Sequence, residues 1–233
     1  TLANPSQTDA ASLAAAIYAN VLGRQLLTAS PKIAQTIKLW QQEQDATSLT
    51  SNLSKNEELK TMVLSETPWV AEAEHETDQK QMLAQYLDAS TIDYRISNFT
   101  AKLAQLQNGD GSFSWWPGMK GSVYQTMNVI ETLTRLNKLA GRQAAFQSML
   151  ANAFSYMKGE ISKEVAELKK DEKKGVKGLQ PSETACHYLY SAALDGQKAS
   201  ADMTYLIDLL DRQPSQLTIY GKACTAVILA QYG

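Results

Sequence analysis

Apolar residues recur every three or four positions along this chain, and the strict alternation typical of β-strands is nearly absent. In residues 9–27 this spacing connects Leu13, Ile17 and Val21, and also Leu22 and Leu26, which predicts a helix. The same period runs through residues 78–107, with a break near 89–91, and through residues 122–139 and 142–168. The pattern therefore predicts an all-α fold.

Short polar turns separate the predicted helices. Ser30 and Pro31 form a helix start, with the proline in the first turn where its missing N–H costs nothing, and Thr67 and Pro68 repeat that signal. Residues 169–178, KKDEKKGVKG, are interpreted as a charged connector. Three further helices are predicted over residues 182–194, 200–210 and 215–233.

Several predicted helices are apolar around more of their circumference than a surface helix is, which indicates an inner layer of helices covered by an outer one. Two architectures fit this pattern: a helical solenoid, or an α/α toroid in which helix hairpins close into a ring. We expect residues 1–233 to form a single domain, which is either a complete toroid or part of one.

One segment interrupts the helices with glycines and aromatic residues. In QLQNGDGSFSWWPGMKGSVYQT, residues 105–126, the NGDG tetrapeptide forms a turn, because Gly and Asn accept positive φ and Asp bonds to its own backbone. We expect the apolar faces of Phe113, Trp115 and Trp116 to pack against neighbouring helix ends. The loop is thus a predicted structural corner, with Gly109 and Gly111 in its turn.

Composition and charge narrow the function classes. Because 44% of its residues are hydrophobic, the chain can bury a large core. Its net charge of -2 means that it lacks the excess of basic residues that nucleic-acid binding requires. No apolar run approaches the roughly 18 residues of a membrane span, and the first residues lack a basic-then-apolar secretion signal. Because the sequence starts at Thr1 and stops after an apolar helical pattern, we expect a piece of a much larger multidomain chain.

No cofactor or metal is predicted. Cys186 and Cys224 lie in apolar helical patterns and are expected to be buried free thiols. A disulfide between them is the alternative that the sequence does not decide. Neighbouring helical residues point about 100° apart, so Cys186 and His187 form no direct catalytic pair. His75 is interpreted as part of a solvated turn, and Asp208 with Asp211 as an exposed helix face.

The corner loop carries a resemblance to known folds. Gln107, Gly111 and Phe113 resemble the Gln-Gly-aromatic signature of α/α toroids, found in terpene cyclases and in the thioester domains of the alpha-2-macroglobulin and complement superfamily. In those families the glutamine and the aromatic residue tie an outer helix to an inner one. The resemblance therefore favours a toroid over a solenoid.

The bacterial alpha-2-macroglobulin family is the closer resemblance, because similar segments follow in register over most of the chain. The blocks ETPWV, residues 66–70, and FSWWPG, residues 113–118, are the most specific. The resemblance implies a non-enzymatic endopeptidase inhibitor of the cell envelope, periplasmic or lipid-anchored, that lures proteases with a cleavable bait and traps them. Its implied partners are proteases, other domains of the same chain and an envelope protein, not nucleic acid.

The family's reactive centre is a Cys-x-Glu-Gln motif, in which a thiol and a carboxamide condense into a thioester across one helical turn. By resemblance this motif falls at Asp9, Ala10, Ala11 and Ser12, where there is neither thiol nor carboxamide, and no cysteine precedes Cys186. We expect Asp9 to act as an N-cap and the domain to work without a thioester. The alternatives are a toroid enzyme, terpenoid-cyclase-like or carbohydrate-active, that uses carboxylates in a central cavity, and a module that docks an envelope partner.

Overall fold

The structure, a computed structural model, describes residues 3–42, 79–80, 82–212 and 218–233, without the side chain of Gln42. These residues form helices and connecting loops with no β-strand, which confirms the predicted all-α class. The predicted helix start at Thr67 and Pro68, the ETPWV block and His75 lie outside the described residues. The helices are α1 (Ala10–Ala29), α2 (Pro31–Gln42), α3 (Ala89–Gln105), α4 (Val123–Ala140), α5 (Gln147–Lys173), α6 (Glu183–Asp195), α7 (Ala201–Arg212) and α8 (Ile219–Tyr232).

Two compact units divide the chain. One comprises Thr1–Ala19 and Ser97–Gly233, and the other comprises Asn20–Ile96. In the second unit, Gln41 donates a hydrogen bond to the carbonyl of Ala84 at 2.9 Å, and Arg24 pairs with Asp93 at 3.2 Å.

In the first unit, α4 and α6 are the most deeply packed helices. The pairs α4–α6, α6–α8 and α4–α5 pack against each other, as do α5–α7 and α7–α8. On α4, buried positions occur on more than one stripe and include the polar residues Gln125, Thr126 and Glu131. Among the described residues, no helix combines the length and apolar content that a membrane crossing requires.

Polar caps and left-handed glycines set several helix boundaries. The hydroxyls of Ser122, Ser182 and Thr218 accept backbone N–H groups in the first turns of α4, α6 and α8. Helix α6 ends at Gly196, whose φ of 73° lies in the left-handed region. Side-chain hydroxyls therefore mark helix starts and glycines mark helix ends in this part of the chain, as the sequence pattern predicts.

Several predicted boundaries differ from the structure. The last helix, predicted from residue 215, begins at Ile219 after the extended residue Thr218. Helix α5 continues through Lys173, so the prediction that the connector begins at residue 169 is wrong. Ion pairs at i,i+3 spacing, Lys170–Glu167 and Lys174–Asp171, support the extra turn, which ends at Gly175 with φ at 82°. The predicted break near 89–91 lies at 87–88, and the predicted start at 142 is replaced by a 3₁₀ turn, Ala144–Phe146, before α5.

Candidate functional site

The start of α1, where the resemblance places the reactive motif, is held by a carboxylate. Asp9 Oδ1 accepts the backbone N–H groups of Ala11 and Ser12, each at 3.1 Å, and Asp9 Oδ2 accepts the Ser12 hydroxyl at 2.6 Å. Ala10 is completely buried and offers no reactive group. Asp9 is thus the predicted N-cap, and its carboxylate occupies the first turn of the helix.

A buried glutamine on α4 completes this arrangement. Gln125 is fully buried, its Oε1 accepts the N–H of Ala11 at 3.0 Å, and its Nε2 lies 3.4 Å from Asp9 Oδ1. The Ala11 N–H is therefore shared between two acceptors. We name Asp9, Ser12 and Gln125 the α1 cap cluster, which fastens the first turn of α1 to α4. Sequence reasoning missed Gln125, although a glutamine inside an apolar helical stripe is a signal for a buried polar partner.

The charge of Asp9 is favoured in this setting. Partial burial opposes ionisation, but the hydrogen bonds from Ser12, Gln125 and Ala11 outweigh that effect and lower the pKa of Asp9 below its usual value. An ionised carboxylate at a helix N-terminus also interacts favourably with the helix dipole. The cluster has the chemistry of a stable cap, because the Gln125 carboxamide has no thiol among Asp9, Ser12 and Gln125 with which it could condense.

The corner loop between α3 and α4 is fastened by Gln107. Its side-chain Nε2 donates to the carbonyl of Gly111 at 3.1 Å and to the carbonyl of Met149, in the first turn of α5, at 2.8 Å. Phe113 is completely buried, and its backbone N–H donates to the Thr126 hydroxyl of α4 at 2.8 Å. One glutamine and one aromatic residue thereby connect the loop to α5 and α4.

Gly111 is required where it stands. Its φ of 90° lies in the left-handed region, and a Cβ there would lie 2.3 Å from the backbone oxygen of Asn152 on α5. At Gly109, by contrast, a Cβ would meet no atom within 4 Å. The two predicted turn glycines therefore differ: Gly111 permits the close approach of the loop to α5, and Gly109 does not.

The two tryptophans lie at the surface of the corner loop, and Trp115 packs on the start of α4. Trp115 is 38% exposed and Trp116 is 58% exposed, so neither ring is buried. Trp115 stacks on Tyr124, with centroids 6.0 Å apart and planes 13° apart, and its ring centroid lies 6.2 Å from that of Trp116. Ser112, Phe113 and Ser114 are completely buried and occupy the space beneath the loop, so the two rings that follow them in sequence lie at the surface.

Sequence reasoning also missed a polar cluster that connects α4, α6 and α8. Glu131 on α4 accepts from His187 Nδ1 at 2.6 Å and from the Tyr220 hydroxyl at 2.7 Å, and it pairs with Arg135 at 2.7 Å. Arg135 also donates to the Tyr220 hydroxyl at 2.9 Å. We name Glu131, Arg135, His187 and Tyr220 the Glu131 cluster.

Electrostatics favour the charged pair in this cluster. Burial raises the pKa of Glu131, but hydrogen bonds from His187 and Tyr220 and the charge of Arg135 reverse the effect and leave it lowered. The hydrogen bond to Glu131 raises the pKa of His187 above its usual value despite burial. The sequence signal for this pair was weak, because Glu131 and His187 are 56 residues apart.

A cavity of about 210 Å³ lies beside the cluster and is lined by His187, Cys186, Cys224, Thr218 and Glu183, among others. Both cysteines are free and buried, as predicted. Burial raises the pKa of Cys186 to about 11 and also raises that of Cys224. Neither thiol is therefore an activated nucleophile at neutral pH.

The remaining candidates offer no site. Asp208 and Asp211 are both exposed on α7, as predicted. Within the described ranges, His, Cys, Asp and Glu side chains form no group of three or more that suits a metal ion. Comparisons with protein-family models, with curated proteins and with solved structures find no match for this chain.

Proposed function

We propose that this chain is a non-catalytic structural and interaction domain of a bacterial alpha-2-macroglobulin-like endopeptidase inhibitor, which acts in the cell envelope without a covalent thioester. The α1 cap cluster carries the proposal. At the positions that resemble the family's reactive motif, the Asp9 carboxylate accepts the Ser12 hydroxyl at 2.6 Å and two backbone N–H groups of the helix. In this proposal, packing and shape retain the trapped protease, a role that the thioester-derived covalent bond has in other members of the family.

The corner loop supports the toroid part of the proposal. Gln107 reaches the first turn of α5 while Phe113 is buried near α4, which is the tie that the resemblance to α/α toroids implies. Helix α4 is buried on more than one stripe, as expected of an inner helix. We therefore propose that α4 belongs to the inner layer of a ring of helix pairs.

Non-covalent trapping has a direct test in the full-length protein that carries this chain. An endopeptidase is incubated with it, and residual activity is measured on a large protein substrate and on a small peptide. The proposal predicts that cleavage of the large substrate falls while cleavage of the small peptide persists, because a trapped active site stays open to small molecules. Equal loss of both activities, or no loss of either, contradicts the proposal.

The runner-up is a toroid enzyme. One observation favours it: the Glu131–His187 pair lies beside the 210 Å³ cavity. Such a pair resembles an oriented general base, but the carboxylate that lines the cavity is that of Glu183, 3.8 Å from His187 Nε2, and Glu131 is not among the lining residues. Turnover of a prenyl diphosphate or an oligosaccharide that Glu131→Gln abolishes would favour the enzyme over the inhibitor.

A further inference from the structure

We propose that the loop after α5 is a cleavage site for lysine-directed endopeptidases, and that the cut chain stays assembled. Residues 172–178 are seven consecutive exposed residues, the longest such run in the part of the chain that the structure describes. Helix α5 ends within this run at Lys173, and we name the remaining residues, 174–178, the nick loop. The nick loop contains Lys174 and Lys177, each followed by glycine. Exposed loop tips of this kind are where folded proteins are most readily cut.

Opening of the nick loop breaks few interactions. Its backbone hydrogen bonds are local: Val176 donates to the carbonyl of Asp171 at 3.1 Å, and Gly175 donates to that of Glu172 at 2.9 Å. Endopeptidases bind the cleaved segment in an extended conformation. Gly175 and Gly178, with φ of 82° and 75°, move from the left-handed to the extended region without steric cost. The loop thus reaches the cleavable conformation by local opening alone.

Two other exposed lysines outside the helices are held more firmly. Beside Lys120, the carbonyl of Met119 accepts from Asn108 at 3.3 Å, and Ser122 donates to the carbonyl of Phe113 at 2.8 Å. Beside Lys198, the carbonyl of Gln197 accepts from the Tyr232 hydroxyl at 3.0 Å. The bonds beside Lys120 close the corner loop across up to 11 residues, and the bond beside Lys198 spans 35 residues, so both lysines serve as internal controls.

The chemistry is simple hydrolysis. The C–N bond between Lys177 and Gly178, or that between Lys174 and Gly175, breaks; water supplies a hydroxyl to the lysine carbonyl and a hydrogen to the glycine nitrogen. Oxidation states do not change. The new carboxylate and ammonium lie in an exposed loop, where water solvates both charges.

Contacts on both sides of the cut keep the two pieces together. After it, the hydroxyl and N–H of Ser182 both donate to the Glu164 carboxylate at 2.7 Å, and His187 bonds to Glu131. Before it, Ser162 donates to Asp202 of α7 at 2.6 Å. The apolar residues Leu189, Leu206 and Ile228, all beyond the cut, are completely buried. The site is independent of the proposed function, because it rests only on loop exposure and packing.

Limited digestion of the folded chain with a lysine-specific endopeptidase tests this proposal. Mass spectrometry of the products identifies each cut by the new N-terminal residue that it creates. We expect products that begin at Gly175 or Gly178 to appear before products cut after Lys120 or Lys198, and to co-elute with the N-terminal piece in size-exclusion chromatography. Equal or faster cutting at Lys120 or Lys198, or an uncut nick loop, overturns the site; release of the C-terminal piece overturns the assembled state.

Variants separate accessibility from general instability. Lys174→Gln with Lys177→Gln should slow formation of these products at least about tenfold, because the protease loses the side chain that its specificity pocket recognises. The matched control, Lys120→Gln with Lys198→Gln, removes the same charge and should leave the rate unchanged. An equal rate loss in both pairs, with circular dichroism showing both folded, contradicts the assignment of the cut to the nick loop.

Discussion

At the scale of single residues, two positions determine how α1 and the corner loop are attached. Asp9 provides both carboxylate oxygens to the first turn of α1, and Gly111 permits the loop to touch α5. The sequence predicts the cap and the turn, because Asp before an apolar helical pattern is a cap signal and Gly after Asp is a turn signal, but it does not predict the contact of Gly111 with α5. It does not predict Gln125, whose partners are 114 residues away or more along the chain.

Removal of the cap carboxylate should weaken α1 measurably. Asp9→Ala is expected to lower the free energy of unfolding by about 1 kcal/mol, because two N–H groups and the Ser12 hydroxyl lose an acceptor. The measurement is urea denaturation followed by circular dichroism. Asp9→Asn keeps a capping oxygen and should retain most of the stability; equal destabilisation by both variants would contradict a capping role.

A methyl group should be tolerated at one turn glycine and not at the other. Gly111→Ala is expected to cost about 2–4 kcal/mol, since it combines a strained left-handed backbone with a clash against Asn152. Gly109→Ala is the matched control and should be nearly neutral, because its Cβ meets open space. Thermal denaturation of both variants provides the comparison, and similar melting temperatures would refute the close approach to α5.

At the scale of elements, hydrophobic periodicity gives most helix positions and misses what binds them together. Helix α4 was predicted over 122–139 and spans Val123–Ala140, because its Ser122 cap and apolar spacing are local signals. The sequence does not predict the end of α5 correctly, because a lysine-rich segment is as compatible with a solvent-exposed helix as with a loop. The Glu131 cluster was missed because three helices distant in sequence contribute to it.

The Glu131 cluster should make stability depend on pH. The folded-state pKa of His187 is raised, so its contribution is complete below its ordinary value of 6.5 and is lost as pH rises through the folded value. The pKa of Glu131 is lowered, so its contribution is present above 4.5 and is lost on further acidification. The pair should therefore stabilise most between pH 4.5 and 6.5.

Variants at His187 test that window. His187→Ala should cost up to about 1 kcal/mol more at pH 5.5 than at pH 8.5, after allowance for solvent screening. His187→Asn places an amide N–H near the position of Nδ1 and should keep the hydrogen bond to Glu131 while it loses the pH dependence. Urea denaturation at the two pH values measures both effects, and an identical cost of His187→Ala at both would contradict the ion pair.

At the scale of the whole molecule, we propose that an all-α domain serves protease inhibition without a reactive group of its own. The sequence predicts the fold class because periodicity is a local property. The toroid, the single domain and the inhibitor role stay predictions, since each depends on contacts between distant segments or on the parent protein. Two compact units and a buried α4 are what the structure adds.

Thiol chemistry offers a test of the whole folded chain. Both cysteines are buried with raised pKa values, so a colourless disulfide reagent should label neither in the native state and both after denaturation. Methylamine should release no thiol and leave the mass unchanged, because no cysteine precedes Cys186 in the sequence and both cysteines are already free thiols. A thiol that appears with methylamine, together with the mass of one added amine, would reveal an acyl bond that this account excludes.

Protease entrapment by the full-length protein is the most direct test of non-covalent inhibition. After incubation with an endopeptidase, activity on large and small substrates is compared, and the complex is separated under denaturing conditions to look for a covalent adduct. The account predicts protection of large substrates only, with the protease recovered at its own mass. Unchanged activity on large substrates, or a protease joined to the protein by an amide bond, would contradict it.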